Sequence, residues 1–375
     1  MAGIYIHVPF CKRKCGYCNF YSITRLELKS SYLQAAKKEL QQQQDYLNGE
    51  QVQTIYFGGG TPSLLEPAEI QSVIDTIRQL HSVAGNPEIT LEANPDDLTQ
   101  AYIEQLAQTS VNRLSIGIQS FDDEMLRLMN RCHTAQQAIN AVRNCQQAGF
   151  GNISVDLIYG LPRMTADDCQ RQLDNVARLN VQHLSAYHLS YEEGTAFSLK
   201  LKQQKLKEVS EDESLEQFEI LTNWAKTTGF EHYEISNFAK PGFRSRHNSS
   251  YWDRTIYLGI GPAAHSYNRT TRSWNTANTA AYIKGIESGS CVSEEEQLTP
   301  SDIFNDYVIT ALRTSSGIDM DYLESEQPRK MVDYLKYQAE SFVTSGKLEY
   351  VGNHLKLTHD GIFVSDEIME ELIVG

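Results

Sequence analysis

The sequence predicts an α/β protein built on a parallel sheet, and three observations carry that reading. Short apolar runs alternate with longer stretches of helical apolar spacing six times between Ile4 and Leu189. Each crossover returns the chain to the same end, so the strands run parallel. The runs are short and rich in β-branched residues, which suits a sheet covered on both faces. Residues with chemistry to offer, among them Cys, Gly, Glu, Gln and Asp, fall where the runs end, the edge at which such sheets hold their sites. Six units are two short of a closed eight-stranded barrel.

The first strand is Ile4-Tyr5-Ile6-His7-Val8, and Leu33, Ala36, Leu40 and Leu47 then give helical spacing to a Gln/Lys/Glu-rich stretch over about 29–47. Thr54-Ile55-Tyr56-Phe57 is the second strand and stops at Gly58-Gly59-Gly60. Helix 66–83, strand 88–92, helix 99–108, strand 113–118, helix 134–148, strand 153–158, helix 167–179 and strand 183–189 continue the alternation. A charged run, 200–219, leads into a helix ending at Thr228-Gly229, where a barrel domain of residues 1–229 closes. From 230 to 290 the chain reads as a linking segment, rich in aromatics, Gly and Asn up to Tyr267, with a helix at 277–286. Helices at 302–312 and 329–345, a hairpin of 347–351 and 354–358 across Gly352-Asn353, and a last helix to about Leu372 form a smaller domain, 291–375, resembling a winged helix. That shape often signals DNA binding, but the chain is acidic and one hairpin lysine at most can meet a nucleic-acid backbone. A lid or docking role is expected instead, with no nucleic acid as partner.

The 375 residues, 41% of them hydrophobic, suffice for a sizeable core and two domains. With 48 acidic and 33 basic side chains the formal charge is −15, which argues against non-specific attraction to nucleic acid or anionic lipid over the whole surface. Seven cysteines, three clustered and four scattered, do not make a disulfide framework and suit a reducing compartment. The first apolar run is too short for a signal peptide, and no stretch reaches the roughly 18 apolar residues of a membrane span, so a cytoplasmic location is expected.

Three thiols crowd into Cys11-Lys12-Arg13-Lys14-Cys15-Gly16-Tyr17-Cys18, directly after the first strand. A closed zinc site needs a fourth ligand, and no further Cys or His follows within ten residues, so the cluster is open at one position. An iron–sulfur centre with one uncapped iron fits that count, and Lys12, Arg13 and Lys14 are expected to help hold the thiols deprotonated. Zinc completed by a distant residue is the alternative. Gly58-Gly59-Gly60-Thr61-Pro62 lets a ligand approach the backbone or simply makes a tight turn; it lacks the Gly-x4-Gly-Lys of a phosphate loop. Glu92, Gln119 and Asp156 interrupt or end apolar strands, where a carboxylate is costly unless partnered or facing a ligand. A structural ion pair explains any one of them; recurrence at one end of successive strands favours a ligand.

The Cys-x3-Cys-x2-Cys spacing resembles the signature of radical S-adenosylmethionine (SAM) proteins. The resemblance implies an open six-unit (β/α)6 barrel and a 4Fe-4S cluster on Cys11, Cys15 and Cys18, with the methionine end of SAM on the fourth iron. It further implies Tyr17 against the adenine and the Gly-rich segment at the amino group of SAM. Over nearly the whole chain the sequence is similar to the coproporphyrinogen III dehydrogenase (HemN-like) branch, and that match picks out Tyr5, Gly59, Gly60, Thr61, Glu92, Gln119, Arg131 and Asp156 as SAM contacts. Arg131 would pair with the carboxylate of SAM, for which a planar guanidinium is well shaped. Two departures put decarboxylation in doubt: Phe20 stands where those enzymes carry a fourth cysteine, and three residues stand where they have an N-terminal arm.

His247-Asn248-Ser249-Ser250-Tyr251-Trp252, preceded by Arg244 and Arg246, has the parts of a haem site: an axial imidazole, aromatics to stack on a porphyrin, and arginines for propionates. On composition alone a surface loop with an ordinary histidine is the favoured reading. The pattern resembles the mark of the HemW group, haem chaperones related to the dehydrogenase. That resemblance implies haem as bound cargo on His247, Tyr251 and Trp252, delivery to recipient haemoproteins including membrane-bound respiratory ones, and cluster-dependent homodimers. The competing expectation is an enzyme, an oxygen-independent coproporphyrinogen III oxidase of porphyrin biosynthesis.

Overall fold

The computed structural model describes all 375 residues. Its centre is six parallel strands in sequence order: β1 (Ala2–Val8), β2 (Val52–Gly59), β3 (Val83–Ala93), β4 (Arg113–Gln119), β5 (Ile153–Tyr159) and β6 (His183–His188). The sheet stays open: a hairpin of β7 (Glu231–Glu234) and β8 (Asn237–Ala239) extends the β6 edge, and β9 (Ile256–Ile260) lies parallel to β1 at the other. From β9 the antiparallel strands β10 (His265–Tyr267), β11 (Thr271–Asn275) and β12 (Ser293–Gln297) carry the sheet outward to twelve strands.

Because side chains alternate along a strand, the sheet has two unlike faces. Ile4, Ile6, Ile55, Phe57, Ile89, Leu91, Leu114, Ile116, Val155 and Leu184 form the outer face and are fully buried under the crossover helices. Each such side chain contributes about 2 kcal/mol. The other face carries Tyr5, Thr54, Tyr56, Glu88, Glu92, Arg113, Ser115, Ser154, Asp156 and His183, nearly all polar. The sheet is covered on both faces, as expected from its short apolar strands, but the inner cover is hydrogen-bonded rather than hydrophobic.

The crossover helices start where side chains satisfy their free N–H groups. Thr134 with Gln137, Thr165 with Asp168 and Ser210 with Glu213 form reciprocal capping pairs, each cap contributing about 1 kcal/mol. The helix expected to end at Thr228-Gly229 is Glu211–Thr228 and stops there.

Residues 230–290 are not a linker in this fold. Their strands complete both edges of the main sheet, which runs on to Gln297, and Tyr282, Ile283 and Ile286 pack into the main core. Strands of three to five residues hold too few alternations to show a period, which is why the sequence hid them. A second core, with Phe304, Val308, Leu312, Leu323, Leu335, Leu355 and Leu372, gathers the C-terminal helices. Against it stands a three-stranded sheet of β13 (Ile318–Asp319), β14 (Leu348–Val351) and β15 (His354–Leu357), whose last two strands are the anticipated hairpin.

Candidate functional site

A cavity of about 440 Å³ opens at the C-terminal ends of β1 to β6, and it collects most of the residues singled out above. Cys11, Cys15, Tyr17 and Cys18 come from the loop after β1, Gly59, Gly60 and Thr61 from the end of β2, and Glu92, Gln119 and Asp156 from β3, β4 and β5; Arg131 enters from the segment after β4.

The cysteine loop is pinned from several sides. The Gly16 N–H donates to Met129 O at 3.0 Å, the Phe197 N–H to Gly16 O at 2.8 Å, and the Asn130 amide to Lys14 O at 2.8 Å. All three thiols are free, and two meet donors from other elements: Thr61 Oγ1 lies 3.4 Å from Cys11 Sγ, and Arg131 Nη1 lies 3.4 Å from Cys15 Sγ. The expectation that the Lys12-Arg13-Lys14 run serves the thiols needs correction at its first member. Lys12 is held by Asp96 and Asp97 at 2.7 and 2.5 Å, and the cation directly against a thiol is Arg131. Burial pushes the Cys18 thiol up, so a metal's charge is what would deprotonate it.

No three His, Cys, Asp or Glu side chains converge closely enough to hold a single ion. Three thiols lining one cavity fit a cluster, whose separate irons would each take one thiolate.

Beside the thiols the lining is built for a zwitterion. Glu92 takes the Tyr56 hydroxyl on one oxygen at 2.7 Å and the Gly59 N–H on the other at 3.2 Å, and Asp156 accepts from Ser115 Oγ at 3.1 Å. Burial drives the Glu92 carboxyl up to about 7 and also raises Asp156, and neither is hydrogen-bonded to a cation. Such carboxylates favour a cationic ligand. Opposite charge is on offer too: Arg131 gives Nη2 to Asn94 Oδ1 at 2.7 Å and to Gly117 O at 2.6 Å, yet its buried Nε–H has no partner. Gly60 lets the backbone close in, since a Cβ there would lie 2.6 Å from Phe10 O and 2.8 Å from Val8 O. The chemistry of this lining fits the ammonium and carboxylate of SAM, and Tyr17, edge-on to Phe197, offers a ring beside it.

Tyr5 does not line the cavity. Its hydroxyl meets His7 Nδ1 at 3.2 Å, and its ring stacks on Tyr56 and His247 one layer below. The haem set is displaced further. His247 is 1% exposed on a helix, Arg246–Trp252, that closes the opposite end of the inner face. Its Nδ1 pairs with Thr54 Oγ1 at 2.8 Å and its Nε2 with the Tyr251 hydroxyl at 3.0 Å. Both nitrogens are occupied and the ring is buried, so His247 could reach iron only by giving up Thr54 or Tyr251. Trp252 lies under the Arg313 guanidinium, Arg246 holds Gln53 Oε1 and Asn86 O, and Arg244 pairs with Glu231. The arginines expected for propionates are thus engaged elsewhere. The same residue types serve haem sites and closed polar plugs, and in this structure His247 and Tyr251 make the contacts of a plug.

Sequence reasoning missed Asn94, Ser115, Tyr187 and His188, all in the lining. Asn94 was within reach of it, since two residues after Glu92 puts it on the same side of the strand. Phe20, at the position of the absent fourth cysteine, stands 65% exposed at the lip.

Residues 5–175 match the Radical SAM superfamily. A protein of Mycobacterium tuberculosis named "Heme chaperone HemW" is 31% identical over 99% of this chain and 94% of its own. One of the same name from Lactococcus lactis is 30% identical over 99% and 97%. Among solved structures, the radical SAM coproporphyrinogen III oxidase HemN from Escherichia coli superposes with a TM-score of 0.86 over 100% of this chain and 90% of its own, at 23% identity, which speaks for the fold.

Proposed function

Because the chain belongs to the Radical SAM superfamily and, within it, to the family of the HemW proteins, we propose that it is a haem chaperone. In this reading it carries a 4Fe-4S cluster and SAM, binds haem and hands it to recipient haemoproteins. The observation behind it is full-length similarity at 30–31% identity to proteins named for that role.

Cys11, Cys15 and Cys18 would hold the cluster, which when bound supplies an iron for SAM to chelate and an electron for radical chemistry. Glu92 and Asp156 would face the positive charge of SAM and Arg131 its carboxylate, while Tyr17 flanks the adenine. With His247 closed in, haem is better placed at the mouth of the cavity. There Phe20 and Tyr187 expose their rings beside the His188 imidazole, which burial lowers and whose Nε2, now 3.0 Å from Ser214 Oγ, would have to leave that partner to meet iron. No helix is long and apolar enough to cross a membrane. A cytoplasmic protein forming cluster-dependent dimers and serving respiratory haemoproteins is the fuller form of the proposal.

The second reading, oxidative decarboxylation of coproporphyrinogen III, is favoured by the HemN-like fold. One experiment separates the two: the anaerobically reconstituted protein is given coproporphyrinogen III, SAM and a reductant, and in parallel haem followed by an apo-haemoprotein. We expect no decarboxylated product and transfer of haem; multiple turnovers to product would overturn the chaperone reading.

A further inference from the structure

Two residues expected to touch ligands, Tyr5 and His247, instead meet in one aromatic stack beneath the SAM pocket, and the stack ends on Glu92. The His247 ring lies nearly flat on Tyr56, with centroids 4.9 Å apart and planes at 22°, and Tyr5 stacks on both. The Tyr56 hydroxyl then donates to Glu92 Oε1 at 2.7 Å. His247 is itself immobilised: Thr54 Oγ1 and the Tyr251 hydroxyl fix its two nitrogens, and Glu88 Oε1 accepts its backbone N–H at 2.9 Å. Glu88 Oε2 also takes the Arg246 N–H at 3.0 Å, so one carboxylate of β3 caps the start of this helix. Four residues along the same strand, about 13 Å away, stands Glu92. The first strand leaves room for the imidazole as well, because a Cβ on Gly3 would lie 3.3 Å from His247 Cε1 and 2.9 Å from Thr54 Oγ1.

We infer that His247 is a positioning residue for the SAM pocket: its clamped ring sets Tyr56, and Tyr56 holds Glu92 in the orientation that meets the ligand. The inference rests on the reading of the cavity as a SAM site and moves the His-Asn-x-x-Tyr-Trp segment from cargo binding to the floor of that site. Removing the imidazole opens a hole against the Tyr56 ring, the ring tilts into it, and Glu92 loses the hydroxyl that fixes one oxygen. A hydrogen bond to a charged group is involved, so SAM affinity falls about tenfold.

The test is calorimetric titration of SAM into the reconstituted protein and four variants: His247→Ala, His247→Phe, Tyr56→Phe, and the double variant His247→Ala/Tyr56→Phe. Cluster absorbance and circular dichroism are recorded for each. The expected result is a roughly tenfold loss for His247→Ala, substantial recovery in His247→Phe, whose flat ring still supports Tyr56 but cannot ligate iron, and a comparable loss for Tyr56→Phe. The double variant should be no weaker than Tyr56→Phe alone, because both substitutions act through one hydroxyl. Parent-like SAM affinity in folded His247→Ala, or additive losses in the double variant, would overturn the inference. If His247→Ala does not fold, Tyr56→Phe, which keeps both rings in place, decides: unchanged affinity overturns it. A parent that binds its cluster but not SAM removes the pocket reading itself, and this inference with it.

Discussion

The two ends of the barrel's inner face are made from the same residue types and behave in opposite ways. At the closed end, His247 and His183 have both ring nitrogens hydrogen-bonded, His183 to Ser154 Oγ and to the Tyr233 hydroxyl, each at 2.7 Å. At the open end, Glu92 and Asp156 lack a hydrogen-bonded cation and Arg131 keeps a buried N–H without an acceptor. Between them Arg113, 1% exposed, has two nitrogens without partners and lends its charge to both ends. The closed-end histidines are fully partnered, whereas at the cavity wall the Arg131 Nε–H and the charge of two carboxylates are left for a ligand to meet.

The sharpest way to break this comparison is at the thiols, which belong wholly to the open end. Cys15→Ala should abolish the cluster, taking the iron content of reconstituted protein from about four per chain to near none, with the fold intact by circular dichroism. Equal iron in parent and variant would mean that the loop does not hold the centre.

Next in size is Glu92→Ala, which removes the carboxylate without touching the thiols. SAM affinity should fall by about a hundredfold, the loss of a charge-assisted contact in a buried site, while the visible spectrum of the cluster stays as in the parent. Unchanged affinity by calorimetry would assign Glu92 to the closed end's way of working, a structural carboxylate satisfied by Tyr56 and Gly59.

How much of this was legible beforehand differs between the two ends for a physical reason. The six units and the open-end residues could be read because strand length, turn glycines and the C-terminal edge of a parallel sheet are local or topological signals. Cys11, Cys15, Cys18, Glu92 and Asp156 all fall where those signals put them. The surroundings of His247 were not legible, because they lie in contacts 193 residues away in sequence, with Thr54, which no local pattern reports. Tyr5 and Tyr56 differ by a single layer of the sheet from the residues that line the cavity, too fine a distinction for alternation to make. The edge strands from 231 to 297 escaped because three to five residues cannot show a period.

The smallest effect concerns protons, and it also separates the two ends. Burial holds the Glu92 carboxyl up to about 7, so in the free protein it is mostly protonated at pH 6 and mostly ionised at pH 8. Between the ordinary carboxylate value and about 7 the folded chain binds more protons here than the unfolded chain, and this group's contribution to stability therefore falls as pH rises through that window. Binding runs the other way. A cationic ligand needs the ionised carboxylate, so with its own amino group titrating near 8 SAM affinity should rise about fivefold from pH 6 to pH 8, with a proton released from Glu92 on binding. The amino group of SAM loses its own proton near the usual α-amino value of about 8, so the gain levels off towards pH 8 and affinity falls above it. His247 adds nothing to this profile, because burial and the nearby Arg113 lower it to about 3 and keep it neutral throughout. In Glu92→Gln the rising limb should vanish while the alkaline fall remains, as calorimetry at four pH values in two buffers of different ionisation heat would show. A parent-like slope in that variant would place the titrating group on Asp156, the other raised carboxyl of the lining, and leave Glu92 without a charge-switching part.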